Sequence, residues 1–347
     1  WIPAVGSKEV AADGDPRRLM LLGEKLIAFR DSAGKVGILD HRCPHRVASL
    51  FFGRNEECGI RCVYHGWKFD VDGNCVDMPN VPSGGERKSR IKAKAYKTYE
   101  RNGLIWVFMG DQDKVPPLPQ LEAALIPDGE ATVRFVQREC NWLQALEGDI
   151  DTSHFGYLHA GHVDASDLAE DEPILHTVTN RAPEYHITET PWGTQYGAYR
   201  SAGPGLTYWR CANFLFPFWA LAPNGDFESH VHARAWVPID DEHTMFWFLW
   251  WKRGKSAVTI PQPAYKDGRP IGGVSTAGGM MELVSWCFQM PPSFQRPSSS
   301  SAQPRPCTVP PSTWPAASTG WIARPMSSAV TTSMTEVSPV SRSTSTS

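Results

Sequence analysis

The sequence predicts an α+β fold dominated by antiparallel strands. Short apolar runs separated by turn-forming residues fill the first 110 positions, which is the pattern of consecutive β-strands. A segment near residue 140 has apolar residues at helical spacing, and strand-like runs return after residue 175. A sheet with at least one helix packed on it would bury both kinds of apolar face.

The N-terminal strands are predicted from apolar runs at 19–22, 25–29, 36–39 and 103–109. Gly-containing turn sequences lie between neighbouring runs, at 12–14, 32–34 and 71–74. Residues 111–119 (DQDKVPPLP) are polar and then rich in Pro, as linkers often are. We therefore expect an all-β domain over residues 1–112 and a linker over 113–129.

A second domain is predicted over residues 130–290. Its best helix candidate is 139–151 (ECNWLQALEGDID), where Trp142, Leu143 and Leu146 share one face. Strands are predicted at 208–221, 230–237 and 244–251 from apolar or alternating patterns.

The last segment, 291–347, is dominated by Ser, Thr and Pro and contains no Lys. Such a composition cannot bury enough apolar surface to offset chain entropy. Two interpretations stay open: a disordered tail, or a shift of the reading frame between residues 252 and 290 that leaves the second domain incomplete.

Composition limits the classes of function. The chain has 347 residues, 41% hydrophobic and 20% charged, with a formal net charge of −3. This balance disfavours a nucleic-acid or polybasic membrane protein, and no apolar run approaches the roughly 18–20 residues that span a bilayer. We expect a cytoplasmic protein that binds neither nucleic acid nor membrane. Eight cysteines are too few for a disulfide scaffold, and the four between residues 43 and 75 suggest metal binding.

Two mixed pairs of ligand residues lie in the first domain. Cys43-x-His45 and Cys62-x-x-His65 each place two ligands in one short loop. Two Cys and two His suit a tetrahedral structural zinc, and they also suit a Rieske [2Fe–2S] cluster, in which thiolates hold one iron and imidazoles the other. Zinc fingers pair Cys with Cys and His with His, so the mixed pairs favour the cluster. Cys58 and Cys75 are interpreted as non-ligands.

A third group of residues lies at the end of the predicted helix. Asp151, His154 and His159 form the pattern Asp-x2-His-x4-His. Two imidazoles near the end of a helix can bind one metal from one side, and non-haem Fe(II) oxygenases use two His and one carboxylate in this way. Two solvated surface histidines are the alternative.

Both motifs resemble a known family. The stretches CPHR…CVYHGWKFDVDGNC and NWLQALEGDIDTSHFGYLH resemble the α subunits of Rieske non-haem iron aromatic ring-hydroxylating oxygenases, in the phthalate dioxygenase and phenoxybenzoate dioxygenase-like group. The resemblance covers about residues 1–252. It implies a Rieske domain followed by a catalytic domain with a helix-grip-like antiparallel sheet.

The resemblance also implies roles for residues. Cys43, His45, Cys62 and His65 would hold the [2Fe–2S] cluster, and His154 and His159 would hold a mononuclear Fe(II). Asp151 would connect the Rieske His of a neighbouring subunit to an iron-ligand His, so a head-to-tail homotrimer or a hexamer is expected. A third iron ligand, an Asp, is expected near 310–347 or later. No suitable Asp occurs there, and Glu336 lacks the flanking sequence.

The implied activity is dihydroxylation of an aromatic carboxylate of the phthalate, chlorobenzoate or phenoxybenzoate type. Electrons would come from NAD(P)H through a reductase with flavin and a ferredoxin-type iron–sulfur centre. A carboxylate in an apolar pocket needs strong donors, and we expect Arg210, or less favourably Arg181, to provide them. The alternatives are a mono-oxygenase or O-demethylase of methoxybenzoates, a ferredoxin-like electron-transfer protein, and a structural zinc protein.

Overall fold

The structure is a computed structural model that describes residues 1–82, 87–125, 127, 129–172, 174–222, 230–252, 264–269 and 337–339. Its named strands pair antiparallel throughout and form three sheets. In the part of the chain covered by these ranges, no helix is long and apolar enough to cross a membrane.

The described residues of the first domain include ten strands and two short 3₁₀-helices, at Ser7–Glu9 and Leu50–Phe52. The strands are β1 (Ile2–Gly6), β2 (Arg17–Leu21), β3 (Glu24–Arg30), β4 (Val36–Asp40), β5 (Arg54–Glu56), β6 (Gly59–Arg61), β7 (Lys68–Phe69), β8 (Cys75–Asp77), β9 (Ala95–Arg101) and β10 (Leu104–Phe108). One sheet has the order β1-β10-β9-β4-β3-β2, and a small sheet has the order β5-β6-β7-β8. An apolar cluster that includes Phe29 and Leu39 of the large sheet and Ile60 and Phe69 of the small sheet packs the two together.

The second domain is one eight-stranded sheet with short helices. Its elements are α1 (Glu122–Leu125), β11 (Thr132–Arg138), α2 (Trp142–Ile150), a π-helix (Phe155–His159), a 3₁₀-helix (Ala165–Asp167), α3 (Leu175–Thr179), β12 (Glu184–Thr190), β13 (Gly193–Ser201), β14 (Leu206–Leu215), β15 (Trp219–Leu221), β16 (His230–Pro238), β17 (Thr244–Lys252) and β18 (Val337–Pro339). The order is β11-β17-β16-β15-β14-β13-β12, and β18 pairs with β14. The predicted α+β class with a mostly antiparallel architecture is confirmed.

Helix α2 is shorter than predicted and buries only part of the predicted face. Asn141 caps it, because its side chain accepts a hydrogen bond from the Leu143 amide at 2.9 Å. Ala145 and Leu146 are buried, whereas Leu143 is 46% exposed, so the predicted inward position of Leu143 is wrong. The predicted strand 208–221 is in fact two strands, β14 and β15, with a turn between them.

The two domains share one hydrophobic core. Trp106 of β10 and Trp219 of β15 are both buried and stack with ring centroids 5.7 Å apart. The amide of Leu22 donates to the carbonyl of Pro238 at 3.0 Å, so backbone hydrogen bonding also crosses the boundary. The segment predicted as a linker, 113–129, contains α1, whose Ala124 lies in the same core.

The predicted tail, 291–347, lies outside the described residues except for 337–339. The region proposed for a frame shift, 252–290, is described only at residues 252 and 264–269.

Candidate metal centres and the adjoining pocket

Two tight loops carry the mixed Cys and His pairs. The first loop follows β4, and it closes where the Val47 amide donates to the Cys43 carbonyl at 2.9 Å. The second joins β6 to β7, and there the Gly66 amide donates to the Cys62 carbonyl at 3.0 Å. Gly66 has φ +75°, and a Cβ at this position would lie 2.7 Å from Cγ of Pro79. Glycine is therefore required where the second loop turns back.

The two thiols lie together at the buried end of these loops. Cys43 and Cys62 are 1% and 2% exposed, both are free cysteines, and their side chains are within hydrogen-bonding distance. Burial raises the pKa of Cys43 to about 11, so the thiol stays protonated at neutral pH unless a metal binds it. Cys58 is exposed, and Cys75 is buried with its thiol 3.5 Å from the Asp77 carbonyl, outside both loops.

The two imidazoles lie on the half-buried side of the same loops. The rings of His45 and His65 have centroids 4.5 Å apart, and His45 stacks on Trp67 at 4.2 Å. Nδ1 of His45 is buried and has no hydrogen-bond partner among the described residues. A buried ring nitrogen without a partner, on the same pair of loops as two adjacent buried thiols, has the chemistry of a metal cluster held by two sulfurs and two nitrogens.

The second histidine pair is formed by a π-helical turn. After α2 ends, His154 caps the π-helix Phe155–His159, in which the Ala160 amide donates to the Phe155 carbonyl five residues back at 2.9 Å. This places Nε2 of His154 3.1 Å from Nε2 of His159. Burial, with smaller effects of the neighbouring His154 and Arg210, lowers the pKa of His159 to about 4. The ring is thus neutral at pH 7 and can offer a nitrogen lone pair to a metal.

Asp151 lies beside the more exposed of these imidazoles. Its Oδ2 lies 3.4 Å from Nδ1 of His154, and its Oδ1 accepts a hydrogen bond from the Ser153 amide at 2.7 Å. A carboxylate beside Nδ1 favours a proton there and leaves Nε2 as the lone-pair nitrogen directed at His159. The Asp151 side chain is 42% exposed, so it is also accessible from outside the chain.

The predicted arginines contact different residues of the π-helix. Arg210 of β14 is buried, with its guanidinium 4.7 Å from the ring centre of Phe155, and its charge affects His159. Arg181 lies 5.6 Å from the ring centre of Tyr157, which is 67% exposed. The fold therefore brings Arg210, and not Arg181, against the histidine pair.

Sequence reasoning missed two charged side chains around this site, Arg200 and Asp149, and it did not predict the contact of Tyr196 with helix α2. Arg200 of β13 is 2% exposed, and Tyr196 donates its hydroxyl to the Ile150 carbonyl at the end of α2. Asp149 forms a buried ion pair with Arg234. The alternation of residues 196, 198 and 200 along one strand could have suggested a common face, but not that this face would be turned towards α2.

Two domain families match the chain. The Rieske [2Fe-2S] domain matches residues 1–100, and the family described as "LigXa C-terminal domain like" matches residues 107–267. The first match confirms the predicted cluster and removes the structural-zinc alternative.

Curated relatives agree with these matches. The 3-chlorobenzoate-3,4-dioxygenase oxygenase subunit of Comamonas testosteroni is 50% identical over 79% of this chain and 63% of its own length. The phthalate 4,5-dioxygenase oxygenase subunit of Pseudomonas putida is 38% identical over 72% of this chain and 58% of its own. The chain thus spans about six tenths of these relatives.

Among solved structures, dicamba monooxygenase bound to dicamba has a TM-score of 0.55 at 22% identity, covering 73% of this chain and 76% of that one. This likeness shows a common fold. With both domain families and the curated relatives, it establishes that the chain belongs to the Rieske non-haem iron aromatic ring-hydroxylating oxygenases, in the group of phthalate dioxygenase-like oxygenase subunits.

Proposed function

We propose that the protein is the oxygenase component of a Rieske dioxygenase that uses electrons from a reductase and O2 to dihydroxylate an aromatic carboxylate. The observation that carries the proposal is the facing Nε2 pair of His154 and His159 in the same chain as a Rieske domain. A ferredoxin needs the first site and has no use for the second.

Two sets of residues are proposed to hold the two metal groups. Cys43, His45, Cys62 and His65 would hold the [2Fe–2S] cluster, and His154 and His159 would supply two ligands to a mononuclear Fe(II). When bound, these groups supply one-electron transfer and the activation of O2. The region in which a third ligand is expected, 310–347, contains no Asp, and the structure describes only residues 337–339 of it.

The chain's own side chains prepare the site. Asp151 would keep the His154 proton on Nδ1, and burial keeps His159 neutral, so both Nε2 atoms could act as metal ligands. Arg210 places a positive charge beside the histidine pair, where it would bind the carboxylate of the substrate. Arg181 is the weaker candidate for this role because it lies beside the exposed Tyr157.

The substrate class and the partners complete the proposal. Relatives named for 3-chlorobenzoate, phthalate and phenoxybenzoate support a benzoate-type acid. Because several relatives are named as oxygenase subunits, a separate reductase with flavin and a ferredoxin-type centre would deliver electrons from NAD(P)H in the cytoplasm. A homotrimer or hexamer would bring Asp151, accessible at the surface, next to the Rieske loops of a second copy.

The decisive experiment combines spectroscopy and product analysis. The full chain is purified without oxygen, characterised by visible and EPR spectra with iron and sulfide analysis, and assayed for O2 uptake with a reductase and a panel of aromatic acids. We expect a Rieske spectrum and, with labelled O2, two labelled oxygen atoms in one product. The His154→Ala variant is the control: it should retain the cluster spectrum and lose oxygen uptake. Oxygen uptake independent of every acid tested would contradict the proposal.

Mono-oxygenation or O-demethylation is the second candidate. It is supported by a 31% identical relative named 5,5'-dehydrodivanillate O-demethylase oxygenase subunit and a 36% identical relative named tert-butanol monooxygenase. The same labelling experiment separates the two reactions, since a mono-oxygenase leaves only one labelled atom in the organic product.

A further inference from the structure

Arg200 is a buried cation with no acidic partner among the described residues. The residue is 2% exposed, and its Nε donates to the Asn180 carbonyl at 2.7 Å. Its two terminal nitrogens, Nη1 and Nη2, are both buried and have no hydrogen-bond partner among the described residues. An Arg side chain remains charged inside proteins, so two unpaired terminal nitrogens are costly.

A second buried arginine of the same sheet, by contrast, is paired with an acid. Arg234 of β16 is buried to nearly the same degree, at 5% exposure, and forms an ion pair with the buried Asp149. For Arg200, the charged neighbour with an effect on its pKa is another cation, Arg210, and the other neighbours with an effect are Tyr208 and Tyr185. A purely structural role would account for the hydrogen bond of Nε and not for the two terminal nitrogens.

The strand register places Arg200 and Arg210 on one face. Ala198 pairs with Arg210 and Arg200 pairs with Tyr208, so the two arginines are diagonal neighbours across β13 and β14. Residues two apart on a strand point the same way, and Tyr196 on this face bonds to the Ile150 carbonyl, next to Asp151. The face that carries both guanidinium groups is thus the face that packs against the histidine site.

We propose that Arg200 is the second guanidinium of an anion site shared with Arg210, and that this site binds the carboxylate of the aromatic substrate beside the His154–His159 pair. The inference rests on the proposed function, and it adds Arg200 and a carboxylate site formed by two arginines. The planar fork of an arginine can donate two parallel hydrogen bonds to one carboxylate. Because Nη1 and Nη2 are enclosed in this structure, side chains above the sheet must shift as the acid enters.

The test compares an acid with its neutral analogue. Binding of 3-chlorobenzoate and 3-chlorobenzamide to the full chain is measured by equilibrium dialysis at neutral pH. We expect the unaltered protein to prefer the acid by about tenfold or more, and Arg200→Met to lose most of that preference while its affinity for the amide changes by less than about twofold. Arg200→Lys should give an intermediate preference, because an ammonium keeps the charge and loses the fork.

Arg30→Met is the matched control. Arg30 is also largely buried, but it pairs with Glu100 at 2.8 Å in the first domain, so its loss should leave the acid preference unchanged. An unaltered protein without an acid preference, or an Arg200→Met protein that keeps it, would overturn the inference. If Arg200→Met fails to fold, the Arg200→Lys variant decides. An acid preference equal to that of the unaltered protein would then overturn the inference.

The outcomes also separate this inference from the proposed function. An enzyme that hydroxylates aromatic acids with an acid preference independent of Arg200 would keep its function and lose this site. A chain that loses acid preference with Arg200 but oxidises none of the acids would keep the carboxylate site and lose the dioxygenase assignment.

Discussion

At the scale of single residues, the two histidines of each pair are brought together by different structural elements. His45 and His65 come from separate loops, and their spacing in sequence matters little because the sheet holds the loops side by side. His154 and His159 come from one turn. In a regular α-helix, residues five apart point about 140° away from each other at about 100° per residue. The π-turn corrects this angle and lets both Nε2 atoms face one point.

The buried thiols lead to a first prediction. Cys62→Ser should abolish the visible and EPR signature of the Rieske cluster, because serine supplies a harder and less acidic ligand than a thiolate. Cys58→Ser is the control, since Cys58 is exposed and outside both loops, and it should keep the full signature. Loss of the signature in both variants would mean that the ligand assignment is wrong.

Asp151 leads to a second prediction. Asp151→Asn should weaken Fe(II) binding at the His154–His159 site by about tenfold to a hundredfold, because the carboxylate no longer fixes the proton and the orientation of His154. Iron titration of anaerobic protein measures this, with the cluster spectrum recorded to verify that the first site is intact. Asp164→Asn, at the cap of the 3₁₀-helix, is the control and should bind iron normally. Equal iron affinity in all three proteins would argue against an orienting role.

At the scale of elements, the end of α2 is held in place by the sheet beneath it. Asp149 forms its ion pair with Arg234 and accepts a hydrogen bond from Nε1 of Trp236 at 3.0 Å. The hydroxyl of Tyr196 donates a hydrogen bond to the carbonyl of Ile150, the residue after Asp149. Since Asp151 and His154 follow directly, these contacts determine where the metal-binding turn begins.

The Asp149 ion pair leads to a third prediction. Asp149→Ala should lower the free energy of unfolding by about 3–5 kcal/mol, because it leaves the buried Arg234 without its acid. The double variant Asp149→Ala, Arg234→Met should recover part of this loss, since the unpaired charge is removed as well. Urea denaturation measures both. Asp111→Ala is the control, because Asp111 pairs with Lys114 at the exposed surface, and it should change the free energy of unfolding by less than about 0.5 kcal/mol. A change equally small in Asp149→Ala would contradict the argument.

At the scale of the whole molecule, the Rieske domain and the catalytic domain are packed as one unit. Their strands contribute to a single hydrophobic cluster that includes Trp106, Ala124, Trp219 and Trp247. Two backbone hydrogen bonds, from the amides of Leu22 and Gly23, also cross from one domain to the other. Each domain also has buried clusters of its own, so the shared cluster joins two cores into one packed unit.

The shared core leads to a fourth prediction. Trp219→Ala should cost about 3–5 kcal/mol through the cavity it leaves, and it should lower the melting temperature of both domains together. Visible circular dichroism of the cluster reports the first domain, and far-ultraviolet circular dichroism reports the backbone of both domains. Ile187→Ala, at a side chain 64% exposed, is the control. Two separate transitions, with the cluster transition unchanged in Trp219→Ala, would show that the domains unfold independently.

The sequence by itself determined the kinds of ligand and their grouping. Cys43-x-His45 with Cys62-x-x-His65 predicts two sulfurs and two nitrogens at one cluster, and Asp151-x2-His154-x4-His159 predicts a second metal site, because ligand chemistry resides in residue type and short spacing. The strand patterns also predicted the fold class, since period-two alternation is local.

Only the tertiary structure decided which side chains meet. The outward position of Leu143, the π-turn that aligns His154 with His159, and the common face of Arg200 and Arg210 all depend on how α2 packs on the sheet and on the register of β13 against β14. Those contacts join residues distant in sequence, and the free energy of burial that selects them is a property of the packed molecule, not of any one segment.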